Sequence, residues 1–161
     1  MRKIGLIGCG NIGQFLLETI NKQQKLDGFH IKSLLDERKH SEDRLQTFSQ
    51  QFRCHPFIDF YSFVASDIDL VIGAANIDTV RRYVPDILSR GKDVLLISIG
   101  ALADKDFYQK IIEAAKTNRN KIYLPSGAIG GLDILKSANS LGEIDTVTLT
   151  TRKPPLPLIG R

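Results

Sequence analysis

Lys3-Ile4-Gly5-Leu6-Ile7-Gly8-Cys9-Gly10-Asn11-Ile12-Gly13 is the stretch whose reading decides the fold of this chain. Lys3 to Gly8 is apolar enough to read as a strand, and a segment of helical periodicity, Ile12 to Lys22, starts before the last glycine. Gly8, Gly10 and Gly13 keep the spacing G-x-G-x-x-G. Glycine-rich turns are common, so the pattern alone is weak; a strand before it and an amphipathic helix after it give it meaning. Gly8 then permits the tight turn, Gly10 lets backbone approach a pyrophosphate, and Gly13 lets helix and strand pack closely. The helix amino terminus at Asn11 and Ile12 directs amides and a partial positive charge toward the phosphates. On the helix, Ile12, Phe15, Leu16, Thr19 and Ile20 read as the face that packs on the sheet.

Working outward, further apolar runs predict strands at His30 to Asp36, Cys54 to Ile58, Asp69 to Ala75, Asp93 to Ile97 and Lys121 to Leu124. Helices are predicted between them: one capped by Ser41 with Glu42 and Asp43 in its first turn, then Asp78 to Ser89 closed by Gly91, and Asp104 to Thr117. Strands alternating with helices define an α/β chain with a parallel sheet, here a Rossmann-type doubly wound sheet over residues 1–124. Asp36 ends the second strand, 23 residues after Gly13, where a carboxylate accepts both ribose hydroxyls and points to NAD. Arg38 would contact a 2′-phosphate, which keeps NADP open. Asn76 with Ile77, and Ser98 with Ile99 and Gly100, follow the fourth and fifth strands, at the carboxyl ends that border a ligand crevice.

After residue 124 the pattern changes. The loop Gly127 to Gly131, with three glycines, precedes a short helix, Asp133 to Asn139. The run IDTVTLTT, Ile144 to Thr151, alternates as a strand with one polar face before the proline-rich end. Residues 125–161 therefore read as the start of an incomplete second α+β domain. A strand without a neighbour recruits another chain, so this segment predicts a homo-oligomer or a complementing second chain.

Composition narrows the function classes. The 22 basic and 18 acidic residues give a net charge of +4, scattered in pairs that suit an anionic small ligand and form no basic stripe for nucleic acid. Two cysteines, Cys9 and Cys54, with no apolar leader after Met1 and no membrane-length apolar run, predict a reduced cytoplasmic protein without disulfides. His30, His40 and His55 lack metal-ligand spacing, so no metal site is expected. Cys9 reads as a small residue tolerated in the turn, although a helix amino terminus lowers a thiol pKa.

Three later motifs are more specific than the glycine pattern: Ser98-Ile99-Gly100-Ala101-Leu102-Ala103-Asp104, Leu124-Pro125-Ser126-Gly127-Ala128-Ile129-Gly130-Gly131-Leu132-Asp133, and Thr150-Thr151-Arg152-Lys153-Pro154-Pro155. With the amino-terminal turn, they make the chain resemble the L-aspartate dehydrogenase family over essentially its whole length. The resemblance implies an NAD(P)-dependent oxidoreductase that interconverts L-aspartate and iminoaspartate, the latter hydrolysing to oxaloacetate and ammonia or feeding early steps of NAD biosynthesis. It implies cofactor contacts at Gly10, Asn11, Ile12, Asp36 and Ala128, the last in the glycine-rich loop near the nicotinamide. From the residues alone, that loop suits close approach to a flat ring or carboxylate, with the Ser126 hydroxyl at hand, or an interdomain hinge.

The chain departs from the family at Gly73, where similar proteins carry glutamate, and at Asn76, where they carry a small residue. Family members also continue past Arg161, with an asparagine near the nicotinamide and a histidine proposed as acid/base. His30, His40 and His55 precede the motifs that this histidine should follow, so the catalytic residues are unknown. Three readings stand: a shortened or split aspartate dehydrogenase, inactive alone; a non-enzymatic dinucleotide-binding module with a redox-sensing or regulatory role; and a dehydrogenase in which Lys153 or Asp133 replaces the histidine.

Overall fold

Inner strands that are apolar on both faces can be buried only if a layer covers each side of the sheet. The computed structural model describes residues 1–37, 42–126, 131–142, 144–150 and 152, and the chain divides into two units, Met1–Pro125 and Ser126–Arg161. In the first unit β1 (Arg2–Ile7), β2 (Phe29–Leu35), β3 (His55–Phe57), β4 (Leu70–Gly73), β5 (Asp93–Leu96) and β6 (Ile122–Tyr123) form a six-stranded sheet in the order β3-β2-β1-β4-β5-β6. Every pair is parallel. Each strand predicted within residues 1–124 is present: β1 and β2 keep the predicted length one residue earlier, and the other four are shorter.

Period-two alternation distributes the core. On β1 and β4, Ile4, Leu6, Leu70 and Ile72 join one buried cluster, while Ile7 and Val71 join the other. The first cluster is covered by α1 (Asn11–Leu17) and α2 (Glu42–Phe52), which bring Leu17, Leu45, Phe48 and Phe52. The second is covered by α3 (Phe60–Ala65), α4 (Ile77–Ser89) and α5 (Lys105–Asn118), with Phe63, Val80, Val84, Ile87 and Ile111.

The first helix corrects the sequence reading. Its buried stripe is Gly13, Leu17 and Ile20, whereas Ile12 and Phe15 are 50% and 67% exposed. Gly13 is the reason: the helix touches the strand at the residue without a side chain, which rotates the inner face away from Ile12 and Phe15. The helix also does not run unbroken to Lys22, because Glu18–Lys22 is a π-helical turn. That turn carries Asn21, whose amide donates to the Ile31 and Phe52 carbonyls at 2.8 and 2.9 Å and accepts from Ile31 N–H at 2.9 Å. One side chain thereby ties the end of the helix to β2 and α2.

Two short elements escaped the sequence reading. Asp59 caps α3 by accepting the Ser62 N–H at 2.7 Å, and the 3₁₀ turn Ile99–Ala103 precedes α5, which Asp104 caps. Gly91 closes α4 in a left-handed conformation, φ 75°, just past Arg90. The Ser41 cap lies outside the described residues.

In the second unit α6 (Leu132–Ser140) stands where a short helix was predicted. Of the predicted strand at Ile144–Thr151, the described residues 144–150 adopt no strand, and 145–150 are exposed. A strand exists only by sharing its hydrogen bonds with a neighbour, and the segment has no ladder partner among the described residues.

Candidate functional site

Chain order places β1 beside both β2 and β4, so the direction of winding reverses between β1 and β4, and the carboxyl ends of these strands open a crevice. A cleft of about 450 Å³ lies there, lined by Ile7, Gly8, Gly10, Asp36, Glu37, Ala74, Ala75, Asn76 and Thr79.

Its floor is the glycine turn. Gly8 has φ 102°, and a Cβ on it would lie 2.6 Å from the Ala74 carbonyl oxygen, so no larger residue fits. A Cβ on Gly13 would lie 2.0 Å from the Gly8 carbonyl oxygen, which makes this glycine the contact between helix and turn. Gly10 differs: a Cβ there would meet nothing within 4 Å, so its bare backbone faces open space. The first bond of α1 runs from Gln14 N–H to the Gly10 carbonyl at 2.9 Å, and no side chain caps the helix. The amides of Asn11, Ile12 and Gly13 thus have no partner within the helix and converge at its positive end.

Asp36 forms one wall. It is 4% exposed, and its Oδ2 accepts the Cys9 N–H at 2.9 Å, which fixes the carboxylate beside the turn. Glu37, next in sequence, reaches toward α4, where the Tyr83 hydroxyl donates to its carboxylate and the Arg82 guanidinium stands 3.8 Å away. Tyr83 is stacked on Phe60 with ring centroids 3.9 Å apart. Burial, then the hydrogen bond to Glu37, raise the Tyr83 pKa far above the ordinary tyrosine value, so the phenol remains a donor at any physiological pH.

The opposite wall follows β4. Asn76 caps α4, its Oδ1 accepting the Thr79 N–H and the Thr79 hydroxyl at 2.9 Å each. Ser98 donates its hydroxyl to the Ala75 carbonyl and so ties the segment after β5 to the one after β4. Of the residues singled out in the sequence, Gly8, Gly10, Asp36 and Asn76 line the cleft, Asn11 and Ile12 stand at the helix start, Gly13 packs, and Ser98 braces the wall. Ala128, Arg38, His40 and Lys153 lie outside the described residues. His30 on β2 and His55 on β3 do not line the cleft.

Sequence reading missed Glu37, Thr79 and Tyr83. Glu37 follows Asp36 at a strand end and could have been found by the same rule. Tyr83 carries no local signal, because only the approach of α4 to the end of β2 gives it a role. Cys9 and Cys54 are buried and not joined in a disulfide, and burial pushes the Cys54 thiol up to about 11, which leaves it unreactive near neutral pH. Among the described residues no His, Cys, Asp and Glu side chains are grouped to hold a metal, and no helix is long and apolar enough to cross a membrane.

Amides for phosphate, a buried carboxylate for ribose hydroxyls and an unobstructed Gly10 are the features a dinucleotide requires, and the residues present fit one. Fold and cleft together define a dinucleotide-binding domain of the dehydrogenase class. Residues 8–125 match the family described as homoserine dehydrogenase, NAD binding domain; the chain belongs to that family, and its cofactor is NAD or NADP. It is 37% identical over 158 residues to an L-aspartate dehydrogenase of Methanospirillum hungatei, covering 98% of this chain and 59% of that protein. It is 42% identical over 158 residues to that of Methanocaldococcus jannaschii, covering 96% and 56%. The chain therefore spans little more than half the length of the curated relatives it matches. Among solved structures, aspartate dehydrogenase of Thermotoga maritima aligns with a TM-score of 0.64 at 28% identity, over 87% of this chain and 52% of that one. The fold is shared with the WlbA dehydrogenase of Bordetella pertussis, solved with NADH and UDP-GlcNAcA, at a TM-score of 0.69 and 15% identity over 87% and 42%.

Proposed function

We propose that this chain is the cofactor-binding half of an L-aspartate dehydrogenase, in which L-aspartate and iminoaspartate are interconverted by hydride exchange with NAD(P). The observation that carries the reading is the cleft at the β1/β4 crossover, with the bare Gly10 backbone facing the amino terminus of α1 and the buried Asp36 at its side. Relatives named for this activity over nearly the whole chain support the substrate.

Gly8, Gly10, Asn11 and Ile12 bind the pyrophosphate through backbone amides, and Asp36 accepts the ribose hydroxyls. Asn76 and Ser98 shape the wall toward the nicotinamide end, and the family resemblance adds Ala128 as a cofactor contact. The dinucleotide supplies the hydride acceptor when bound. Hydride transfer further requires the substrate carbon held about 3 to 3.5 Å from the nicotinamide carbon and a proton relay at the amine. None of the described residues of the cleft is assigned to that relay. Residues 125–161 open the substrate domain, and the unpaired stretch 144–150 is where a second copy or a complementing chain would add strands. The chain works in the cytoplasm, where its two cysteines stay reduced.

Calorimetric titration with NADH and NADPH, followed by assay with oxaloacetate and ammonia, tests this. The expected result is micromolar binding of at least one cofactor, lost about tenfold or more in Asp36→Ala, and no turnover by these residues alone. Turnover would assign the proton relay to this chain, with Lys153 and Asp133 mutated first. Absence of binding to either cofactor would overturn the proposal.

A further inference from the structure

The cleft holds a second carboxylate that dinucleotide binding as such does not require. We propose that Glu37, held in place by Tyr83, is a specificity-determining residue that makes the cleft select a free ribose 2′-hydroxyl, NAD(H), over a 2′-phosphate, NADP(H). The inference rests on the reading of the cleft as a dinucleotide site.

Asp36 and Glu37 are consecutive at the end of β2, and both line the cleft. A carboxylate accepts hydrogen bonds from ribose hydroxyls, whereas a phosphate ester at the same position presents up to two negative charges to it. A single acidic residue can swing aside or be outweighed by an arginine. Here Asp36 is buried and bound by the Cys9 amide, so it cannot withdraw. Glu37 is restrained as well: the Tyr83 hydroxyl donates to its carboxylate, and the Tyr83 ring is itself fixed by stacking on Phe60. Two anchored carboxylates thus stand at the ribose end of one cleft.

The arginines described near this wall are already engaged. Arg82 lies 3.8 Å from Glu37 and over the Tyr83 ring at 4.9 Å, and Arg44 donates to the Cys9 carbonyl at 3.4 Å. Recruiting Arg82 to a 2′-phosphate would strip Glu37 of its counter-charge at the moment a dianion arrives. Tyr83 acts through Glu37 as a positioning residue. Its removal frees the carboxylate to turn toward solvent and weakens discrimination without deleting any charge.

The test is the ratio of NADPH to NADH dissociation constants, measured by fluorescence titration at low salt on the 161-residue chain and three variants. The chain itself is expected to bind NADH at least tenfold more tightly than NADPH. Glu37→Gln should narrow that ratio threefold or more, and Tyr83→Phe should narrow it in the same direction by less. Glu113→Gln, an equal charge change on the exposed face of α5, should leave it unaltered. Thermal melts confirm that each variant is folded; Tyr83→Phe retains the stacked ring, so it stays informative if Glu37→Gln does not fold. Equal affinity for the two cofactors, a preference for NADPH, or a ratio unmoved by both cleft variants would overturn the inference while leaving the dinucleotide reading intact. Binding of neither cofactor would overturn both.

Discussion

At the scale of single residues, the glycines of the turn separate two duties that their shared motif conceals. Gly13 sits against the Gly8 carbonyl, and a Cβ there would require backbone to move, since the contact at 2.0 Å is not with a flexible side chain. Gly13→Ala is therefore expected to destabilise the fold by about 3 kcal/mol or to prevent folding, measured by urea denaturation. Gly10 has a φ of −76° that alanine adopts, and nothing within 4 Å opposes a methyl group. Gly10→Ala should change stability by no more than about 0.5 kcal/mol and yet weaken NADH binding about tenfold, because the methyl occupies the space a pyrophosphate needs. The sequence motif named both glycines and gave each a duty. Only the geometry makes them experimentally separable.

At the scale of elements, legibility followed burial. β1 and β4 were readable because both faces are covered and the apolar run is continuous, while α3 was missed because its six residues give too few turns for periodicity to register. β1 and β2 are joined to the segment before β4 by ions that no sequence pattern announces. Asp67 accepts from Lys3 Nζ at 2.7 and 2.8 Å and from Lys32 Nζ at 2.6 Å, and the bonds from these two lysines hold its carboxyl down to about 2. A carboxyl whose folded pKa is depressed contributes stability above its unfolded pKa, near 3.8, and loses it as pH falls through the folded value. The melting temperature should therefore exceed that of Asp67→Asn at pH 5, with the difference shrinking below pH 4 and vanishing only below pH 2. Because Asp67 is exposed, the difference should also shrink with added salt. A difference independent of pH would show that the ion pairs do not account for it.

At the scale of the whole molecule, the sheet and both helical layers belong to Met1–Pro125, and α6 belongs to Ser126–Arg161. The first unit contains both buried clusters and every residue that lines the cleft. Residues 1–125 produced alone are expected to unfold in one cooperative transition, with a melting temperature within about 5 °C of the 161-residue chain, by circular dichroism. A broad transition or a much lower midpoint would mean that the second unit is needed to complete the core. In the second unit the alternation IDTVTLTT was legible as strand composition, but composition does not supply a partner, and the described residues 144–150 adopt no strand.

The sequence by itself determined the class of fold, the place of the glycine turn and the acid that closes β2, because these depend on local spacing: an apolar run, three glycines at fixed intervals and a carboxylate at a strand end. Tertiary structure decided the rest. It turned Ile12 and Phe15 outward, since the inner face of α1 was set by close contact with the Gly8 turn. It also brought Glu37 and Tyr83, 46 positions apart, to opposite ends of one hydrogen bond. That pairing depends on β4 settling beside β1 so that α4 passes the end of β2, a matter of strand order and layer packing on which neighbouring residues in the chain carry no information.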